Sequence, residues 1–217
     1  LAKRSAPANH WSQAWVDAQL GLARAAAGDR AEAVTHLRKA AVAGGEYDHV
    51  LTPVVLLALG QLFLADNNLE QAGNYFLEAS FAGAALGQPD VIQEAFRHGL
   101  TVHIARGGQA AYPPLVLAQP WAKREGFDAL ESWLYVTAAE SYTNAGDSAR
   151  AKRMLDEARR SLIRSEARAG ELGARFEYQN AVWSFQQGNA ANGAKSLHQA
   201  LSYQRTSSPR LLHVALA

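Results

Sequence analysis

Small and apolar residues recur along this 217-residue chain in one phrase: a small polar turn, a small residue five positions on, a larger apolar residue four further, and Ala three after that. The phrase reads Gly28-Asp29, Ala33, Leu37, Ala40, and again Asn67-Asn68, Ala72, Phe76, Ala79. It returns as Gly146-Asp147, Ala151, Leu155, Ala158 and as Gly188-Asn189, Gly193, Leu197, Ala200. Positions three and four apart share one helix face, so each phrase predicts a helix that presses small residues against a neighbour. The intervals are 39 from Ala33 to Ala72, 79 from Ala72 to Ala151 and 42 from Ala151 to Gly193. The middle one is close to two periods and predicts a fifth, degraded copy around Gly107-Gly108 and Tyr112.

Each copy reads as a helical hairpin. Gly or Asn tolerates the left-handed conformation that ends the first helix, and Asp or Asn then caps the second. The first helices are predicted at Trp11–Ala27, Leu51–Ala65, Asp90–Arg106, Phe127–Ala145 and Glu171–Gln187. The second are predicted at Arg30–Ala43, Leu69–Leu86, roughly Gln109–Lys123, Ser148–Ala169 and Ala190–Gln204. A hairpin this short does not bury its apolar face alone, so stacking on its neighbours must build the core. The expected fold is therefore all-α: a right-handed α-α superhelix, or solenoid, of about five hairpins in one domain, with units near 9–47, 48–87, 88–125, 126–169 and 170–207. Ser208-Pro209 followed by Leu211–Ala217 reads as the start of a further helix, which makes the chain look like a piece of something longer. In the third unit Tyr112-Pro113-Pro114 and Gln119-Pro120-Trp121 disfavour a continuous second helix, either as drift within the repeat or as an opening for a partner.

Leu20-Gly21…Ala33…Leu37…Ala40 and Leu59-Gly60…Phe63…Ala72…Phe76…Ala79 resemble the tetratricopeptide repeat signature. Ala138-Ala139…Tyr142…Ala151…Leu155…Ala158 is a weaker match, and Asn180-Ala181 weaker still. The period is similar to that of the longer, roughly 40-residue subclass of the family. The resemblance implies that the first helices line a concave face and that this face holds a peptide or protein segment. It specifies fold more than function.

Composition narrows the classes. The chain has 44 Ala, 48% hydrophobic and 19% charged residues, which fits a helical globular chain and excludes a disordered or collagen-like one. A net charge of +1 offers no bulk attraction for nucleic acid or an anionic membrane. With no Cys, disulfides, thiolate nucleophiles and iron–sulfur sites are excluded, while the compartment stays unknown, with the cytoplasm favoured. The apolar run Val54–Ala65 is too short to cross a bilayer. No phosphate-binding Gly-rich loop, Gly-x-Ser-x-Gly or His-Glu-x-x-His occurs, and His98 and His103, five apart, turn to different faces. No enzyme, metal or cofactor is expected.

Charge is densest in the fourth hairpin, at Arg150, Lys152, Arg153, Arg159, Arg160, Arg164 and Arg168. It reads as a helix laced with local pairs, Asp156 and Glu157 each with Arg160, or as an attraction for an acidic partner. The candidate binding residues on the first helices are Trp15, Leu57, Gln61, Arg97, Thr101, Trp133, Glu140, Arg175 and Tyr178. A clamp for a C-terminal carboxylate, as in chaperone-binding members of the family, is not expected, because Ala18 and Leu22 stand where that resemblance implies Lys and Asn. The expected function is a non-catalytic interaction module for a peptide or protein segment. The alternatives are a ligand-sensing domain of a bacterial regulator and a self-associating scaffold.

Overall fold

Inside each hairpin the chain reverses direction through one residue held at positive φ: Gly28 at 82°, Asn67 at 56°, Gly107 at 74°, Gly146 at 78° and Gly188 at 73°, while Gly87 and Gly170 take positive φ between hairpins. The hairpin-turn residues are 39, 40, 39 and 42 positions apart. At each, the next residue's N–H reaches back to the last turn of the preceding helix: Asp29 to Arg24, Asn68 to Phe63, Gly108 to His103, Asp147 to Tyr142 and Asn189 to Ser184, at 2.8–2.9 Å. That bond satisfies a helix-terminal carbonyl and sets the exit direction of the chain. Except at Gly108, the same next residue then caps the second helix. Asn68 accepts from the Gln71 N–H at 3.2 Å, Asp147 from Arg150 at 2.9 Å and Asn189 from Asn192 at 3.1 Å.

The computed structural model describes residues 10–45, 49–124, 127, 129–165 and 168–207. All elements among them are α-helices. They are α1 His10–Ala26, α2 Arg30–Gly45, α3 Thr52–Ala65, α4 Leu69–Ala85, α5 Pro89–Ala105, α6 Pro113–Val116, α7 Ala118–Ala122, α8 Leu130–Asn144, α9 Ser148–Arg164, α10 Glu171–Gln186 and α11 Ala190–Ser207. No helix among the described residues is long and apolar enough to cross a membrane. The predicted terminal helix after Pro209 lies outside the described residues.

By internal contacts the chain divides into two compact units, residues 1–114 and 115–217. In the first, α1 pairs with α2 and α3 with α4, α2 and α4 each pack on the helix that follows, and α3 also touches α1 and α5. In the second, α8 pairs with α9 and α10 with α11, α9 packs on α10, and α8 also touches α10.

The small positions of the repeated phrase are where this packing is tightest. Ala33, Ala72 and Ala151 are fully buried. The last Ala of the phrase meets the next first helix: Ala40 clusters with Val55 and Leu59 of α3, Ala79 with Ala95 of α5, and Ala158 with Phe176 of α10. Small residues on the first helices make matching notches. A Cβ on Gly21 would lie 2.6 Å from Leu37 Cγ, and one on Gly60 would lie 2.6 Å from the buried Phe76 ring. In the last copy the pattern weakens, and Leu197 is 36% exposed.

The third hairpin corrects the expectation of a second helix over roughly Gln109–Lys123. Residues 109–112 are not helical, and only the short α6 and α7 form. Gly108 occupies the capping position and has no side-chain oxygen, so the helix that should start there loses its N-cap. Pro113, Pro114 and Pro120 instead fall in the first turns of α6 and α7, where an absent N–H costs nothing. Tyr112 fills the gap. Its ring lies 5.6 Å from Phe96, and its hydroxyl covers Gly99 so closely that a Cβ there would sit 2.0 Å from the oxygen. That oxygen has no hydrogen-bond partner, and burial pushes the phenol well above its ordinary pKa.

Gly60→Ala is expected to lower stability by about 1–2 kcal/mol in urea unfolding, overpacking against Phe76 outweighing the better helix propensity of Ala. In a Phe76→Leu background the same change should cost less. Asp147 carries a second expectation. The bonds from the Arg150 N–H and guanidinium hold its carboxyl below the usual carboxylate range. A depressed folded-state pKa means stabilisation present above the ordinary carboxylate pKa and lost as pH falls through the depressed one. The advantage of the wild type over Asp147→Ala should be about 1 kcal/mol near neutral pH and shrink across that acidic window, whereas Asp147→Asn should show no such titration.

Candidate functional site

The residues expected to form a binding face all lie on first helices: Trp15 on α1, Leu57 and Gln61 on α3, Arg97 and Thr101 on α5, Trp133 and Glu140 on α8, Arg175 and Tyr178 on α10. In the first unit they differ in exposure and in partner. Trp15 is 47% exposed and Gln61 is exposed, while Leu57 is half-buried against the apolar clusters around Ala79 and Phe76. Arg97 is bound by Glu94 one turn away at 3.0 Å, and the Thr101 hydroxyl donates to the Arg97 carbonyl at 2.9 Å. Ala18, also counted along this face, is buried core.

In the second unit three of the residues meet. Arg175 of α10 donates through Nη2 to Glu140 Oε2 at 2.7 Å, and its guanidinium carbon lies 5.1 Å from the centre of the Trp133 ring. The contact spans 35 residues between Glu140 and Arg175, close to one repeat, and it exists because α8 and α10 touch. A guanidinium held between a carboxylate and an indole is fixed in orientation and keeps its remaining N–H groups for a ligand. Beside it, one and three turns along α10, Tyr178 and Phe185 are 48% and 46% exposed. Val136 and Thr143 of α8 are buried and take no part in the surface.

At 100° per residue the opposite side of α10 carries Glu177, Asn180 and Ser184. These line a groove of about 550 Å³ between α9 and α11. Its walls bear Lys152 and Arg159 from α9, Arg168 just beyond it, and Lys195 from α11. A related groove of about 610 Å³ lies between α2 and α4 with α3 as its floor. Setting Ala72 on Gly193 places its Gln71, Asn74, Tyr75 and Glu78 on Asn192, Lys195, Ser196 and Gln199 of the other. In that first groove Arg38 is committed to the protein, donating to Gln71 at 3.0 Å and Tyr75 at 3.3 Å.

Only the α9 side of this charge shows in the sequence as a run of Arg and Lys. The structure sorts that run. Arg150 pairs with Asp147, Lys152 with Asp156, Arg160 with Glu157 at 3.0 Å and Arg164 with the buried Glu131 at 2.7 Å. Asp156 thus goes to Lys152 rather than to Arg160. Among the described residues Arg159, Arg168 and Lys195 form no ion pair, and Arg159 instead lies 5.6 Å over Phe176. His98 stacks on Phe76 and His103 bonds the Ala110 carbonyl, so the two histidines serve separate packing contacts. Among the described residues no group of three His, Asp or Glu is placed to hold a metal ion.

Arg175→Ala is expected to expose Trp133, seen as a red shift and loss of intensity in tryptophan emission, with a stability loss of about 0.5–1 kcal/mol that shrinks in high salt. Arg175→Lys should not restore the spectrum, because an ammonium lacks the planar stack. Comparison with known proteins adds no relative: no family model and no curated protein matches the chain.

Proposed function

We propose that the chain is a non-catalytic interaction module of tetratricopeptide-like architecture, a superhelix of helical hairpins whose first helices hold a peptide or protein segment. The observation that carries the reading is the Arg175–Trp133–Glu140 assembly with Tyr178 and Phe185 exposed beside it. Trp, Tyr and Arg are the side chains that dominate binding at interfaces; Trp and Tyr bury much surface at little cost in rotamer entropy, and Arg175 is already held by Glu140 and Trp133. Two further facts support the stacked arrangement: the left-handed turn residue recurs at nearly constant spacing, and successive first helices touch within each unit.

The ligand that fits is an amphipathic helix or an extended segment with apolar anchors. Tyr178 and Phe185, seven residues apart on α10, offer two ring faces about 10 Å apart along the helix axis. Arg175 between Trp133 and Glu140 would donate to a carbonyl or carboxylate of the segment and set the register. Trp15 and Gln61 extend the same kind of surface on the first unit.

A displayed-peptide selection on the whole chain tests this, with depletion against Arg175→Ala/Tyr178→Ala. Peptides that survive depletion are expected to bind the wild type and to lose about tenfold or more in Kd on the double variant. Failure to enrich any sequence over the variant, with both proteins showing the same helical spectrum, would reject the reading.

A further inference from the structure

We propose that the groove between α9 and α11, on the side of α10 away from Arg175 and Tyr178, is a second binding site that takes an extended acidic peptide segment. It is independent of the first-helix face and stands or falls separately. Three observations carry it. The first is imbalance: Lys152, Arg159, Arg168 and Lys195 line the groove against a single carboxylate, Glu177, although the whole chain has a net charge of only +1. Four like charges around one concavity repel one another in the empty protein, and an anionic occupant removes that cost while the low-dielectric walls strengthen its attraction.

The second is that the architecture does not require these cations. The groove of the first unit has similar size, yet Ala41 stands where Arg159 stands here, Asn74 stands where Lys195 stands, and its Arg38 is tied to Gln71 and Tyr75. Lys195 and Arg159 are exposed and hold no ion pair among the described residues, so their charge is available to something outside the protein. Lys152, by contrast, is partly neutralised by Asp156.

The third is the neutral polar lining, which suits a main chain. Asn192, Lys195 and Gln199 follow one another along α11 at spacings of three and four and span about 10 Å, the length of about three extended residues. Across from them, Asn180 donates through Nδ2 to the Ser196 hydroxyl at 2.8 Å, and its carboxamide oxygen remains to accept a peptide N–H. The side-chain amides pair with the backbone of the segment and the cations with its Asp or Glu side chains.

The test is fluorescence polarisation on the whole chain with a labelled peptide of alternating Glu and Gly, and with its Gln counterpart. The acidic peptide is expected to bind saturably and the Gln peptide not. Lys195→Glu should raise Kd about tenfold, Lys195→Ala by less, and raising salt from about 50 mM to about 300 mM should weaken binding severalfold. Tyr178→Ala, on the opposite side of α10, should leave Kd unchanged. Equal binding of the two peptides, no saturable binding, insensitivity to both Lys195 variants while they keep the wild-type helical spectrum, or a loss on Tyr178→Ala equal to that on Lys195→Glu would each overturn the proposal.

Discussion

The fold depends on how closely a first helix and the second helix of the same hairpin approach. In the first two hairpins that distance is set by one missing side chain, where the last two hairpins carry the small Ala139 and Ala181. Gly21 and Gly60 each stand 16 residues before the side chain that enters their notch, Leu37 and Phe76. A buried Phe or Leu contributes about 1.5–3 kcal/mol only if water is excluded around it, and here a backbone surface does the excluding. With that contact made, the small residues of the second helix sit flush against the next first helix. Successive hairpins then pack within each unit, as Ala40 does on α3 and Ala158 on α10.

The third hairpin shows which parts of the motif are separable. Gly107 still takes the left-handed turn and Gly99 still leaves its notch, but Gly108 supplies no cap. The second helix fails, and Tyr112, 13 residues after the glycine instead of 16, reaches in from an irregular segment. An aromatic side chain is long enough to fill the notch from there. The cost is a phenol oxygen buried without a partner. The notch is satisfied by volume, whereas the helix needs hydrogen-bond chemistry at its start, so the two are lost independently.

The two surfaces of α10 follow from the same packing. Because α8 and α10 touch, Arg175 meets Glu140 and Trp133 across one repeat; because α9 and α11 flank α10, cations from two helices gather around Asn180. Local pairing alone would have hidden the second gathering. Along α9 most of the basic residues find a carboxylate, three of them within four residues, and the ones that do not become distinct only when Lys195 of another helix is brought opposite.

The sequence by itself determined the helical class, the hairpin turns and the buried small positions, because these depend on local conformation and helix spacing: positive φ at Gly28 or Gly146, capping by Asn68 or Asp147, and burial at Ala33, Ala72 and Ala151. The disruption of the third hairpin was legible through Pro113, Pro114 and Pro120, although a second helix over roughly Gln109–Lys123 was expected and the part played by the missing cap at Gly108 came only with the structure. What only the tertiary structure decided was which exposed residues act together. Trp133, Glu140 and Arg175 look alike in sequence with Arg97 and Thr101, yet the first three meet across one repeat, while Arg97 pairs with Glu94 and Thr101 bonds the Arg97 carbonyl. Side chains 35 or more residues apart come within hydrogen-bond reach only through the rotation of one hairpin on the next. That rotation is set by the combined shapes of many buried side chains, and no single spacing along the chain encodes it.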